Sequence, residues 1–146
     1  MARKEHPAAN DWIKEAWTNW PHVVVRIPSA LKGTVQERFE DYGLDRKVGL
    51  HLPTWAGIGP ALRQTNMLAN HVALLFEECP DAGDLQVFEP PLALPDLTFR
   101  IMWSARLDGD PAIVWLRTIV VQSINAVLDR AEEKLGDAKI IKARAV

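Results

Sequence analysis

Short runs of β-branched and apolar residues alternate with amphipathic stretches along most of this chain, and proline, glycine or serine separates them. That alternation predicts an α/β fold built on a mainly parallel sheet, because each helix must carry the chain back across the sheet. Residues 11–20 read as a short helix, with Asp11 or Asn10 available as cap and Pro21 as stop. Residues 22–27 (HVVVRI) predict a buried strand, and Pro28 and Ser29 a turn. A helix follows over 34–42, with Val35, Arg38, Phe39 and Tyr42 on one face and Gly43 ending it. Residues 47–52 form the second predicted strand. Thr54 then serves as N-cap of a helix reaching Gln64, whose start Gly57, Gly59 and Pro60 make irregular. A strand at 66–70, a helix at 71–78 ended by Pro80, and a strand at 85–88 complete the alternating part.

The texture changes after residues 89–95, a connection with three prolines. Residues 97–103 (LTFRIMW) predict a strand. Asp110 is placed to cap a helix that has Pro111 in its first position and ends near Gly136. Its stretch 112–128 is apolar but interrupted by Arg117, Gln122, Ser123 and Asn125, and it is shorter than the ~20 residues a membrane span needs. It therefore reads as a buried helix, with Trp103 and Trp115 in the core and Trp12, Trp17 and Trp20 packed around the first helix. Residues 137–146 show no period and receive no assignment.

Composition narrows the function. With 48% hydrophobic and 25% charged residues the chain is globular rather than disordered. A formal charge of −2 offers no basic footprint for nucleic acid or an anionic membrane. Cys79 is the sole cysteine, so no disulfide can form within the chain, which fits a reducing cytosol. The N-terminal residues lack the apolar core of a signal peptide, and a cytoplasmic location is expected.

The search for chemistry yields little that is catalytic. His6, His22, His51 and His71 lack metal-binding spacing, and no cofactor is implied. No nucleophile elbow, Walker loop or dinucleotide fingerprint occurs; Gly57-Ile58-Gly59 lacks the third glycine. An enzyme would have to draw on loosely placed His51, His71 and Asn70, and none is expected. In open α/β sheets, by contrast, ligands gather at the carboxyl ends of strands. Ser29, Thr54, Trp55 and Asn70 all fall at such ends and are the candidates for one wall of a pocket. That pocket would take a small anionic or aromatic ligand.

Four segments also carry a family resemblance. Residues 3–8 (RKEHPA) are similar to the segment crossing between the two lobes of LysR-type regulator sensing domains. Residues 52–62 (LPTWAGIGPAL) resemble their strand-to-helix junction, and 64–70 (QTNMLAN) the strand after it. Phe99 to Trp103 followed by Asp110-Pro111-Ala112 and Trp115-Leu116-Arg117 resembles their ending. The sequence is closest to the branch of nodulation and aromatic-degradation regulators. It departs from the pattern at Thr54 and Ser104, where histidine is usual, and at Val72, where proline is common.

The resemblance implies a type-II periplasmic-binding-protein-like fold: mainly the second lobe, plus the returning strand and long C-terminal helix of the first. By that analogy 1–10 is the inter-lobe crossing, 11–90 the second lobe, 91–136 the return, and 137–146 a tail. The implied function is sensing a small-molecule effector, with DNA reached only through a helix-turn-helix outside these residues. Most of the first lobe is also outside them. Leaving six of the apolar side chains of 111–128 exposed would forgo on the order of 10 kcal/mol, so self-association is expected, with the last strand and helix exchanged between chains. A dimerisation module without ligand response is the alternative reading.

Overall fold

A computed structural model describes residues 1–26, 34–72, 82–94, 100–137 and 140–142. Three parallel strands form its centre: β2 (His22–Val25), β3 (Val48–Leu52) and β4 (Leu68–Ala69), in the order β3-β2-β4. Val23 is paired with Leu50 on one side and Ala69 on the other, and Val25 with Leu52. A second sheet has β1 (Ala2–Arg3) antiparallel to β5 (Leu85–Phe88), with β6 (Ile140–Ile141) parallel to β5 on its far side. Met1 and Ala69 exchange hydrogen bonds of 2.7 and 2.9 Å, which stitch the two sheets edge to edge.

The period of two along the strands sends consecutive residues to opposite faces, and two cores result. Ala2, Leu68 and Phe88 face Trp12, Trp17 and Phe39 on one side. Val23, Ala69 and Leu85 face Ile58 and Leu62 on the other. Helices α1 (Lys14–Asn19) and α2 (Thr34–Asp41) thus cover the first face, and α3 (Ile58–Arg63) covers the second. Trp12 and Trp17 are buried and Trp20 packs against them, as expected of the first three tryptophans.

Local chemistry sets the boundaries. Gly43, at φ +62°, ends α2: its N–H bonds the Glu40 carbonyl at 2.9 Å and the Leu44 N–H bonds the Phe39 carbonyl at 2.8 Å. That paired closure needs a left-handed residue, which glycine adopts without strain. Tyr42, expected on the same helix face as Phe39, is 44% exposed and lies under the Lys14 ammonium. Helix α1 begins at Lys14, two residues later than the Asp11 cap implies, and Ile13 supplies no side-chain cap. The reason is a 3-10 turn, Pro7–Asn10, held by the buried His6 ring, whose Nδ1 accepts from the Ala8 N–H at 3.1 Å.

The C-terminal part differs more from expectation. Helix α4 (Pro111–Asp137) starts where Asp110 and Pro111 indicate, with Asp110 Oδ1 accepting from the Ala112 N–H at 2.8 Å. It is not a core helix. Val114, Trp115, Leu116, Ile119 and Val121 are exposed, and among its described residues only Ala131 is buried. By length and composition Pro111–Gly136 would suffice to cross a membrane. Arg100 to Trp103 form no strand, and residues 97–99 of that expected strand lie outside the described residues. Trp103 and Trp115 are accordingly exposed rather than core. The unassigned tail supplies β6. The expected helix at 71–78 lies outside the described residues from 73 onward; His71 and Val72 are not helical.

Candidate functional site

The strand order contains a topological switch point between β2 and β3. From β2 the chain passes to α2 on one face of the sheet, and from neighbouring β3 it passes to α3 on the other. Connections that diverge from adjacent parallel strands leave a gap above their carboxyl ends, the usual ligand position in such sheets. Thr54 and Trp55 follow β3, and Asn70 and His71 follow β4, so both pairs stand on this edge. Strands β3 and β4 flank β2 and are about 10 Å apart. The Trp55 and His71 rings nevertheless meet, centroids 5.4 Å apart and 67° inclined, by reaching across the carboxyl end of β2.

Each of these residues keeps some capacity unused. Thr54 occupies the cap of the 3-10 turn Trp55–Gly57, but its side chain makes no capping bond. Trp55 is half-buried, its ring packed partly on the cluster of Val23, Ile58 and Leu62. The Nδ2 of Asn70 is buried without a hydrogen-bond partner. A stranded donor of this kind costs about 1–3 kcal/mol, which an acceptor on a ligand would recover.

His71 is held neutral: burial pushes its pKa below 6.5, against the opposing effect of its bond to Val72. Its Nδ1–H donates to the Val72 carbonyl at 2.9 Å, so Nε2 carries the lone pair. Arg26, exposed immediately after β2 and bonded through its N–H to the Leu52 carbonyl at 2.9 Å, brings a positive charge to the same edge.

Of the residues expected from sequence, Thr54, Trp55 and Asn70 are brought to one edge; Ser29 lies outside the described residues. His71 and Arg26 join them. His71 was detectable as the neighbour of Asn70 at the same strand end. Arg26 was hidden inside a strand expected to run to residue 27, whereas β2 stops at Val25.

An open groove of about 370 Å³ lies elsewhere, between the Pro7–Asn10 turn and α1, with Asp11 and Glu15 on its rim. It reaches Trp20, which leads into the amino end of β2, and so belongs to the other side of the sheet. Among the described residues, no cluster of three or more histidine, cysteine or acidic side chains could hold a metal ion.

Comparison with known proteins bears on this arrangement. The chain is 29% identical over 123 residues to the HTH-type transcriptional activator NagR of a Ralstonia species, covering 84% of the chain and 41% of that protein. It is 30% identical over 126 residues to nodulation protein D 1 of Mesorhizobium japonicum, covering 86% and 38%. To the activator NahR of Pseudomonas putida it is 27% identical over 121 residues, covering 82% and 40%. The chain thus spans about two fifths of the length of these curated relatives. Among solved structures, the regulatory domain of MexT, a transcriptional activator of Pseudomonas aeruginosa, superposes with a TM-score of 0.54 at 31% identity, covering 69% of this chain and 50% of that one. No family model matches the chain.

Proposed function

The chain is a homologue of the regulatory domains of LysR-type transcriptional regulators and shares their periplasmic-binding-protein-like fold, and from that premise we propose that it senses a small effector. The observation that carries this reading is the edge formed by Thr54, Trp55, Asn70 and His71 above the diverging connections of β2 and β3. An aromatic ring suits the Trp55 and His71 faces. A carboxylate or similar acceptor suits the stranded Asn70 amide and the charge of Arg26. Ser29 is proposed to complete the wall after β2.

Residues 11–90 would constitute the second lobe, entered through 1–10, and 91–136 the return toward the first lobe. Within a longer cytoplasmic regulator, effector binding would shift the balance between lobe or dimer arrangements and so alter transcription. DNA would be contacted by a helix-turn-helix outside these residues. No bond-making step is assigned to any residue, in keeping with relatives that are regulators.

Calorimetric titration with benzoate, the simplest aromatic carboxylate, tests the reading. Trp55→Ala is expected to abolish binding and leave the far-ultraviolet circular dichroism spectrum intact. Binding that persists unchanged removes Trp55 from the site. A second reading, a dimerisation module without ligand response, is favoured by one observation, the exposed apolar length of α4. Mixed dimers with a full-length relative and no heat with any aromatic acid would be its signature.

A further inference from the structure

The approach to α4 contains a reactive pair. Asp108–Gly109 is the only Asp–Gly or Asn–Gly step in the sequence. Glycine leaves its own nitrogen unscreened, because it has no Cβ to crowd a neighbouring carboxyl carbon. Gly109 is exposed, a Cβ built there would meet nothing within 4 Å, and its N–H makes no hydrogen bond with the described residues. The next acid, Asp110, precedes Pro111, whose nitrogen has no proton to give up.

We propose that Asp108 is a modification site, at which the chain converts spontaneously to isoaspartate, and that Arg117 holds the reaction off. The Gly109 nitrogen attacks Asp108 Cγ. A C–N bond forms, the amide proton leaves, and one carboxyl oxygen departs as water. Water then opens the five-membered imide. Addition at Cγ restores aspartate; addition at the main-chain carbonyl carbon leaves the chain running through Cβ and Cγ, longer by one methylene. The sum is an isomerisation, and no oxidant or cofactor enters.

Closure requires Cβ and the Gly109 nitrogen to eclipse one another about the Cα–C bond. Asp108 is helical, at φ −61° and ψ −37°, which keeps them well apart. Arg117 locks that geometry from both ends. Its Nη1 donates to Asp108 Oδ1 at 2.9 Å and its Nη2 to the Asp108 carbonyl at 3.2 Å, so neither the side chain nor ψ turns while the fork is in place. Trp103 Nε1 donates to the same Oδ1 at 2.9 Å. These bonds also favour the ionised carboxylate, the form that loses water less readily. The clamp is exposed and contributes little energy, so it slows the reaction rather than forbidding it. Isoaspartate, once formed, lengthens the main chain directly before Asp110, the cap of α4, and draws the carboxylate away from Trp103 and Arg117.

Incubation of the whole chain at neutral pH and body temperature tests this. Isoaspartate in the tryptic peptide 107–117 is measured by methyl labelling with an isoaspartyl methyltransferase. Slow accumulation at Asp108 is expected in the folded protein, and faster accumulation in the excised peptide, where nothing holds Arg117 against Asp108. Arg117→Lys keeps the charge and the trypsin site but cannot bond both oxygens as a fork. It should raise the rate in the folded protein about two- to fivefold, the factor that an exposed contact of this kind contributes. In Gly109→Ala, whose methyl group screens the nitrogen, the label should fall well below wild type. A folded chain that gains no isoaspartate at Asp108, or a Gly109→Ala chain that gains as much as wild type, overturns the site. A folded wild type that reacts as fast as the peptide, or Arg117→Lys that reacts no faster than wild type, overturns the role of Arg117. The comparison of folded chain with peptide decides that role even where Arg117→Lys fails to fold.

Discussion

The Arg117 guanidinium lies 4.1 Å from the centroid of the Trp103 ring, and Asp108 Oδ1 accepts from both residues, from Trp103 Nε1 and Arg117 Nη1, at 2.9 Å each. Arg117 also donates to the Asp108 carbonyl at 3.2 Å, so the approach to α4 is pinned to its second turn. The group is exposed, and its cation–π component is worth about 0.5–1 kcal/mol. Arg117→Ala is expected to lower stability by no more than about 1 kcal/mol in urea unfolding, while releasing the segment around Trp103.

The same carboxylate should report its own charge. The Trp103 indole bond, then the bond and charge of Arg117, hold Asp108 below its ordinary pKa of 3.8. The clamp is therefore present above the usual carboxylate range and dissolves only as pH falls through the depressed value. The Trp103 Nε1–H resonance, followed by NMR, should shift with a midpoint below 3.8, and the shift should vanish in Asp108→Asn. A midpoint at or above the ordinary value would mean the indole does not donate to Asp108.

His22 predicts a larger pH effect. Its Nε2–H donates to the Trp17 carbonyl at 2.8 Å, its Nδ1 is buried without a partner, and burial lowers its pKa to about 4. Between pH 6.5 and 4 the unfolded chain binds the proton that the folded chain refuses, so acid lowers stability. The full effect is absent above pH 6.5 and complete below about pH 4, amounting to about 3 kcal/mol. His6, His71 and the Met1 amino group shift in the same direction, so the contribution of His22 is the difference between wild type and His22→Gln in urea unfolding at about pH 7 and pH 4.5. Equal slopes in the two proteins would refute it.

The core makes a simpler demand. Leu62 has no exposed surface and packs beneath Val23, Ile58 and Ala69, so Leu62→Ala should cost about 2–5 kcal/mol in unfolding free energy. Met102, 89% exposed, should tolerate alanine within about 0.5 kcal/mol. Comparable losses at the two positions would contradict the described packing.

How much could be read from sequence follows from which forces are local. Gly43 and Asp110-Pro111 mark helix ends by backbone chemistry within a few residues, and both stand where expected. The strand-end positions of Thr54, Trp55 and Asn70 follow from alternation alone. The start of α1 was misjudged because the His6 ring, not Asp11, organises the preceding turn. Ile140–Ile141 gives no periodic signal in two residues, and β5 across the sheet decides its fate. Apolar composition shows that α4 needs cover; it does not show that the cover lies in the same chain, and Trp103 and Trp115 were misplaced for that reason. The Trp55–His71 contact required knowing that β2 lies between β3 and β4.

Asn70 offers a test in which function and stability should move apart. Its buried Nδ2 lacks a partner in the ligand-free protein, and an unmet donor is a standing cost. Asn70→Ala removes that cost together with the polar group. The ligand-free variant should unfold in urea at the same midpoint or later, gaining up to about 1 kcal/mol. With benzoate at saturating concentration the wild type should gain stability by mass action, and Asn70→Ala should gain none. A ligand-free variant weakened by more than about 1 kcal/mol would mean that the amide serves the fold. Equal stabilisation of both proteins by benzoate would place the ligand elsewhere.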